Sequence, residues 1–359
     1  MTVETALMRR LGLRHPIIQA PLAGGGDTPA LVAAVSEAGG LGFIGGAYLT
    51  PQQIAEAGRA VRARTARPFG INLFAPQPLP QLPYDIQPAL EGVALYYAEL
   101  GLPAPAVPAP PRDGFAEQLA AALELDASAF SFTFGLLPAD SIARIKARGL
   151  YVIGTATTVG EAVALARAGV DAVVVQGSEA GGHRGTFAGA FEAAMIGTMA
   201  LVPQAVDAIA LPVIASGGIM DGRGVAAALA LGAGAVQLGT AFLTSDEAGV
   251  PAAYKAAILA AGAEATRITR AFSGRPARGI VNRFMAEIDA AGDAAILPFP
   301  LQNALTRPLR TAAGQRGRAE FLSLWAGQGL GLARRERAGA LVARLAAETD
   351  AAIRRLGGG

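Results

Sequence analysis

The chain contains no cysteine. That absence excludes disulfides, thiolate metal sites, iron–sulfur clusters and every cysteine-nucleophile mechanism. Histidine is nearly as scarce. His15 and His183 are the only two in 359 residues, too few for a histidine-based metal site, so no metal is expected. The two lysines, Lys146 and Lys255, fall in helical stretches and not at a strand end, which argues against Schiff-base chemistry in a barrel. Only 16% of residues are charged, and 30 Lys+Arg against 28 Asp+Glu leave a net charge of +2. No Lys/Arg block is present, so nucleic acid is not an expected partner. No P-loop, GxSxG elbow or HExxH motif occurs. The N-terminal MTVETALMRRLGLRHP lacks an apolar h-region and reads as cytoplasmic. The longest uncharged run, residues 224–243, is interrupted by Gly232 and Gly234 and carries Gln237 and Thr240, which lipid could not satisfy. It reads as a helix followed by a buried strand, and no membrane partner is expected.

Hydrophobic residues make up 52% of the chain, and short apolar runs recur along it. They are Ile17–Ala20, Leu41–Gly45, Phe69–Phe74, Phe130–Gly135, Tyr151–Ala156, Ala172–Gln176, Pro212–Ser216 and Ala235–Phe242. The runs are continuous and not alternating, as strands buried on both faces should be. Helix signals separate them. Thr28-Pro29 and Thr50-Pro51 each join an N-cap to a first-turn proline, and Gly39, Gly149 and Gly169 stand where helices should stop. Eight alternating units predict an α/β fold, a (β/α)8 TIM barrel. A doubly wound sheet is the alternative, but no GxGxxG turn follows the first strand. Residues 1–74 and 126–245 are expected to form the barrel. A Pro-rich insertion over 75–125 and a mainly helical region over 246–359 are expected to form a smaller cap over the C-terminal ends of the strands.

Three groups of residues carry chemistry in this frame. Gly217 and Gly218 follow the seventh run, and Gln237, Gly239 and Thr240 lie in the eighth. Loops after the last two barrel strands hold phosphate through backbone N–H donors. Phosphate alone leaves flavin mononucleotide and a sugar phosphate both open. His183 sits in the Gly-rich segment QGSEAGGHRG (176–185), expected as a flexible loop on the catalytic face, where an imidazole exchanges protons near neutral pH. His15 precedes Pro16 and is expected on the opposite face as a structural residue. Gln19, Asn72, Thr133, Gln176 and Gln237 are polar residues at apolar strand ends, poised to point into the barrel mouth, where buried amides and hydroxyls need partners. A ring system with many donors and acceptors would supply them.

The ordered set of segments resembles one family along nearly the whole chain, the class I nitronate monooxygenases, formerly called 2-nitropropane dioxygenases. The segments include QAPLAGGGDTPALVAAVSEAGGLGFIGGAYL, PFGINLF, FSFTFG, VIGTATTVGEA, AGVDAVVVQGSEAGGHRGTF, PVIASGGIMDGRG, VQLGTAFL, FSGRPARGIVNRFM, LPFPLQNALT and LWAGQG. The resemblance implies a barrel holding FMN non-covalently. It implies oxidation of alkyl nitronates, notably propionate 3-nitronate, and of nitroalkanes by O2. The products would be carbonyl compounds and nitrite or nitrate, reached through single-electron transfer to the flavin. Carried over residue by residue, Ala20, Pro21 and Leu22 would line the flavin through backbone groups, and Asn72 and Gln176 would bind it through their amides. Gly181, Gly182, Gly217, Gly218, Gln237, Gly239 and Thr240 match the remaining cofactor positions, and His183 matches the active-site histidine. Thr133, Tyr254, Phe299 and Arg307 are the expected substrate pocket. Two departures stand out: Phe299 replaces the tyrosine of a Pro-Tyr-Pro segment, and relatives often carry lysine near Arg307. A monomer or homodimer is expected. An FMN-dependent NAD(P)H reductase on the same barrel type, acting on quinones or enoyl substrates, is the alternative.

Overall fold

The computed structural model describes residues 3–109 and 113–357; residues 110–112, the end of the Pro-rich piece, lie outside them. Eight strands, all parallel to their neighbours, form the barrel: β1 Ile17–Gln19, β2 Gly42–Gly45, β3 Phe69–Phe74, β4 Ala129–Thr133, β5 Tyr151–Ala156, β6 Ala172–Gln176, β8 Val213–Ser216 and β9 Ala235–Leu238. Their order around the barrel is β1-β9-β8-β6-β5-β4-β3-β2. The Leu41 N–H donates to the Ile17 carbonyl at 3.0 Å and the Gln19 N–H to the Leu41 carbonyl at 2.9 Å, which stitches β1 to the start of β2 and closes the ring. The barrel strands are buried almost throughout, as their continuous apolar sequence requires.

The local signals are realised in detail. Thr28 and Thr50 cap the helices Pro29–Glu37 and Pro51–Arg62, the second with a complete capping box through Gln53. Gly39, Gly149 and Gly169 follow helix ends with φ of 93°, 79° and 88°, the left-handed region that glycine enters without strain. One expected strand is too long. The run Ala235–Phe242 stops at Leu238, and Thr240–Leu243 is already a turn of helix. The uncharged run 224–243 is thus divided between two helices and a strand, and no helix among the described residues is long and apolar enough to cross a membrane.

A second apolar cluster lies above the C-terminal ends of the strands, built from residues such as Val93, Tyr97, Phe272, Phe284, Leu301, Leu305 and Phe321. Leu22 packs against both it and the barrel core. Two helices from the segments expected to cap the barrel belong instead to the barrel core. Phe115–Leu123 contributes Phe115, Leu119 and Leu123, and the last helix, Ala338–Leu356, contributes Leu341, Val342 and Leu345. Their apolar stripes are amphipathic faces that the barrel flank covers. Beside its helices the C-terminal region carries strands. A three-stranded antiparallel sheet joins β10 Thr266–Thr269 and β11 Ala277–Ile280 to β7 Gly182–His183, a two-residue strand from the Gly-rich segment after β6.

Candidate active site

A cavity of about 940 Å³ opens at the C-terminal ends of the barrel strands. Its walls bring together Ala20, Pro21 and Leu22 after β1, Asn72 and Thr133 at the ends of β3 and β4, and Gln176, Gly181, Gly182 and His183 after β6. Gly217, Gly218, Gln237, Gly239 and Thr240 close the β8–β9 side, and Tyr254 and Arg307 come from the cap. Phe299 is the exception. It borders a smaller neighbouring hollow with Arg184 and Arg275, and its ring stands behind the lining residues Phe134, His183 and Phe74, at 6.0, 6.0 and 6.4 Å between centroids.

The glycine side is a wall of backbone. The N–H groups of Gly217, Gly218 and Gly239 find no acceptor among the described residues. Gly217 and Gly218 have φ of 122° and 70°, so only glycine holds this path without strain. The Thr240 hydroxyl accepts from the Gly327 N–H at 2.9 Å, which leaves its own proton to donate. No Asp or Glu lines the cavity among the described residues. Unpaired donors beside an acid-free cavity suit an anionic group.

Two of the expected cavity amides have other duties. Gln19 is fully buried and does not reach the cavity: its side chain binds the Ala20 carbonyl and accepts from the Phe43 N–H at 2.9 Å. Its orientation follows from the pleat, which alternates side chains between the two faces of β1. Gln176 lines the cavity yet mainly holds the histidine segment, donating to the His183 carbonyl at 3.0 Å and accepting from the Gly185 N–H at 2.9 Å. Asn72 donates to Ser131 Oγ at 2.8 Å, and Thr133 Oγ1 lies 3.4 Å from Thr155 Oγ1.

His183 does not ride a loose loop. It pairs with Ala277 of β11, and its Nε2 lies 2.8 Å from Ser273 Oγ. Beneath it, the fully buried Arg184 guanidinium donates to the carbonyls of Gln176, Gly177 and Ala194. Burial, reinforced by the positive charges of Arg275 and Arg310, depresses the imidazole pKa to about 3. His183 is therefore neutral at pH 7. His15 lies at the other end of β1, as expected, and is absent from the cavity lining.

Several cavity residues carried no expectation. Phe134 has φ of 79°, the one non-glycine residue with positive φ among those described, and it stacks between Phe74 and the guanidinium of Arg275. Tyr48 presents a buried hydroxyl with no partner, and Arg307 lies over its ring at 5.4 Å. Arg310 donates to Asn303 Oδ1 at 2.7 Å and also lines the cavity. The Tyr254 hydroxyl is spent on the Trp325 carbonyl at 2.7 Å, so the cavity meets its ring. The sequence did signal part of this: Ser273 and Arg275 belong to FSGRPARG, but nothing local assigned them to the histidine.

These features define a (β/α)8-barrel enzyme with an anion-accepting cavity and a neutral histidine at the mouth. A family model described as nitronate monooxygenase matches residues 5–348. A probable nitronate monooxygenase of Staphylococcus saprophyticus is 40% identical over 357 residues, spanning 99% of this chain and 100% of that protein. Among solved structures, the nitroalkane oxidase from Streptomyces ansochromogenes is 42% identical with a TM-score of 0.90, covering 98% of this chain and 100% of that one. FabK from Thermotoga maritima is 31% identical with a TM-score of 0.79, covering 99% of both chains. The chain belongs to the nitronate monooxygenase family, whose members are flavin-dependent oxidoreductases.

Proposed function

We propose that this enzyme uses FMN to oxidise alkyl nitronates with O2, giving a carbonyl compound and nitrite or nitrate, with propionate 3-nitronate as a substrate. The observation that carries the reading is a neutral imidazole facing an acid-free cavity that offers unpaired donors on one side and arginines on the other. The donor set suits FMN. The free N–H groups of Gly217, Gly218 and Gly239 and the Thr240 hydroxyl would hold its phosphate, and Ala20–Leu22 with Asn72 would border its ring. When bound, the flavin supplies the electron acceptor that passes electrons to O2.

The chain's own groups do the rest. His183 faces the nitro or nitronate group and takes the α-proton from a neutral nitroalkane. Arg275 and Arg310, which oppose a positive charge on the imidazole, also favour the anionic nitronate over its neutral acid. Phe74, Phe134 and Trp325 keep water from the reacting carbon. Tyr48, Arg307 and Arg310 lie on the β2–β4 side of the mouth, where a carboxylate at the far end of the substrate would find charged donors. Arg307 offers a planar fork and not the point charge of an ammonium, and Phe299 contributes no hydroxyl.

Oxygen uptake by FMN-loaded protein tests the reading. Propionate 3-nitronate alone should drive rapid uptake, while NADH or NADPH alone should not bleach the flavin. Bleaching by a nicotinamide with no response to any nitronate would place the enzyme among the NAD(P)H reductases.

A further inference from the structure

We infer that Ser273 fixes His183 as the Nε2-protonated tautomer and so leaves the Nδ1 lone pair open to the cavity. Ser273 is only 1% exposed and sits in the turn leading into β11, the strand that pairs with His183. Its Oγ has three polar neighbours: His183 Nε2 at 2.8 Å, the Arg275 carbonyl at 3.1 Å and the Arg275 N–H at 3.2 Å. A serine hydroxyl has one proton to give. The Arg275 carbonyl can only accept, and the described residues offer it no other donor. The Arg275 N–H can only donate. If the serine proton goes to that carbonyl, Oγ accepts from both the Arg275 N–H and an Nε2–H, and every group is satisfied. If the proton turned to Nε2 instead, the Arg275 carbonyl would lose the one donor the described residues give it. A part-buried backbone carbonyl stripped of its donor is costly, so the first arrangement prevails.

Nδ1 makes no hydrogen bond in the chain and is not among the buried atoms left without a partner, so it is reached from the cavity that His183 lines. Ser273 is thus a positioning residue. For the reaction proposed above, on which this role rests, the α-C–H bond of a nitroalkane breaks and its electron pair moves into the nitro group. The proton passes to Nδ1, while the Nε2–H stays on Ser273 Oγ. A preformed nitronate needs no such transfer.

Nitrogen NMR of protein labelled with 15N-histidine reads the tautomer directly, because there are only two histidines and His15→Asn identifies the other. The wild type should show the protonated, pyrrole-type shift on Nε2 and the pyridine-type shift on Nδ1 of His183. Ser273→Ala should mix the two tautomers, and Ser273→Thr should restore the first. In FMN-loaded enzyme, Ser273→Ala should lower kcat/KM for nitroethane roughly tenfold or more while changing ethyl nitronate turnover less than about threefold. A wild-type proton on Nδ1 overturns the inference. So does an Ala variant with an unchanged tautomer and an unchanged nitroethane-to-nitronate ratio. If no nitro compound is turned over, the proposed function fails, and the NMR result still decides the role of Ser273.

Discussion

The two sides of the cavity are built from different material. On the β8–β9 side the wall is backbone: glycine N–H groups at fixed φ, set at strand ends and braced from behind. Gly181, from the segment after β6, shares that bracing: a Cβ there would meet Ala326 C and Gly327 N at 2.5 Å, and the Gly327 N–H donates to Thr240 Oγ1 of the β8–β9 side. On the histidine and β2–β4 side the wall is side chains: His183, Phe134, Tyr48, Arg307 and Arg310. Their properties come from each other through aromatic contacts, cation–π stacking and depressed basicity. The backbone side can bind an anion whatever its neighbours do, whereas the side-chain side is a coupled set. One side should therefore govern cofactor retention and the other turnover.

The largest expected effect separates the two. His183→Asn should keep FMN bound with an unchanged dissociation constant and lower nitroalkane turnover by about 10²–10⁴-fold, the usual worth of a positioned general base. Fluorescence titration of FMN and an oxygen electrode measure the two quantities on the same sample. Loss of FMN binding in this variant would mean that the division between the sides is false.

Gly181→Ala should do the converse at a smaller scale. The added Cβ must push the backbone of Ala326–Gly327 away, at a cost of about 1–3 kcal/mol, and that segment also takes the Thr240 hydroxyl as its acceptor. FMN affinity should fall roughly tenfold or more, with kcat at saturating FMN close to the wild-type value. An unchanged affinity would show that the glycine wall yields without consequence.

The same division explains what was legible in the sequence. Barrel strands and the β8–β9 glycines could be read because their signals are local: buried apolar runs, a Gly-Gly pair after one of them, and N-caps with prolines. His183 could be placed because its segment follows a strand on the catalytic face. Its surroundings could not. Ser273 lies 90 positions away, and Arg275 and Arg310 farther still, so the neutral imidazole depends on contacts no window of sequence contains. Gln19 was misjudged for a related reason. A polar residue ending an apolar strand points inward or outward according to register, and β1 is only three residues long. The histidine segment looked mobile because glycines dominate it, while the pairing strand that holds it comes from the cap.

The smallest effect concerns pH, and there the two sides have opposite signs. Asp27 Oδ2 accepts the N–H of Leu22 at 2.8 Å and of Gly45 at 2.6 Å, tying the segment that borders the backbone side to the end of β2. Burial raises its carboxyl pKa from 3.8 to about 7, with those two hydrogen bonds pulling the other way. Between those values the folded chain holds a proton that the unfolded chain has lost, so stability from this group falls as pH rises from about 4 to 7. His183 runs oppositely. Its folded pKa of about 3 lies below the unfolded 6.5, so the unfolded chain binds the extra proton and stability falls as pH drops through that interval. Relative to wild type, Asp27→Asn should therefore gain melting temperature as pH rises from 5 to 8, by about three or four degrees. His183→Asn should gain it as pH falls below 6.5. Melting curves of cofactor-free protein across this range measure both slopes. Parallel slopes would mean that the cavity titrates as one unit and that its two sides are not electrostatically distinct.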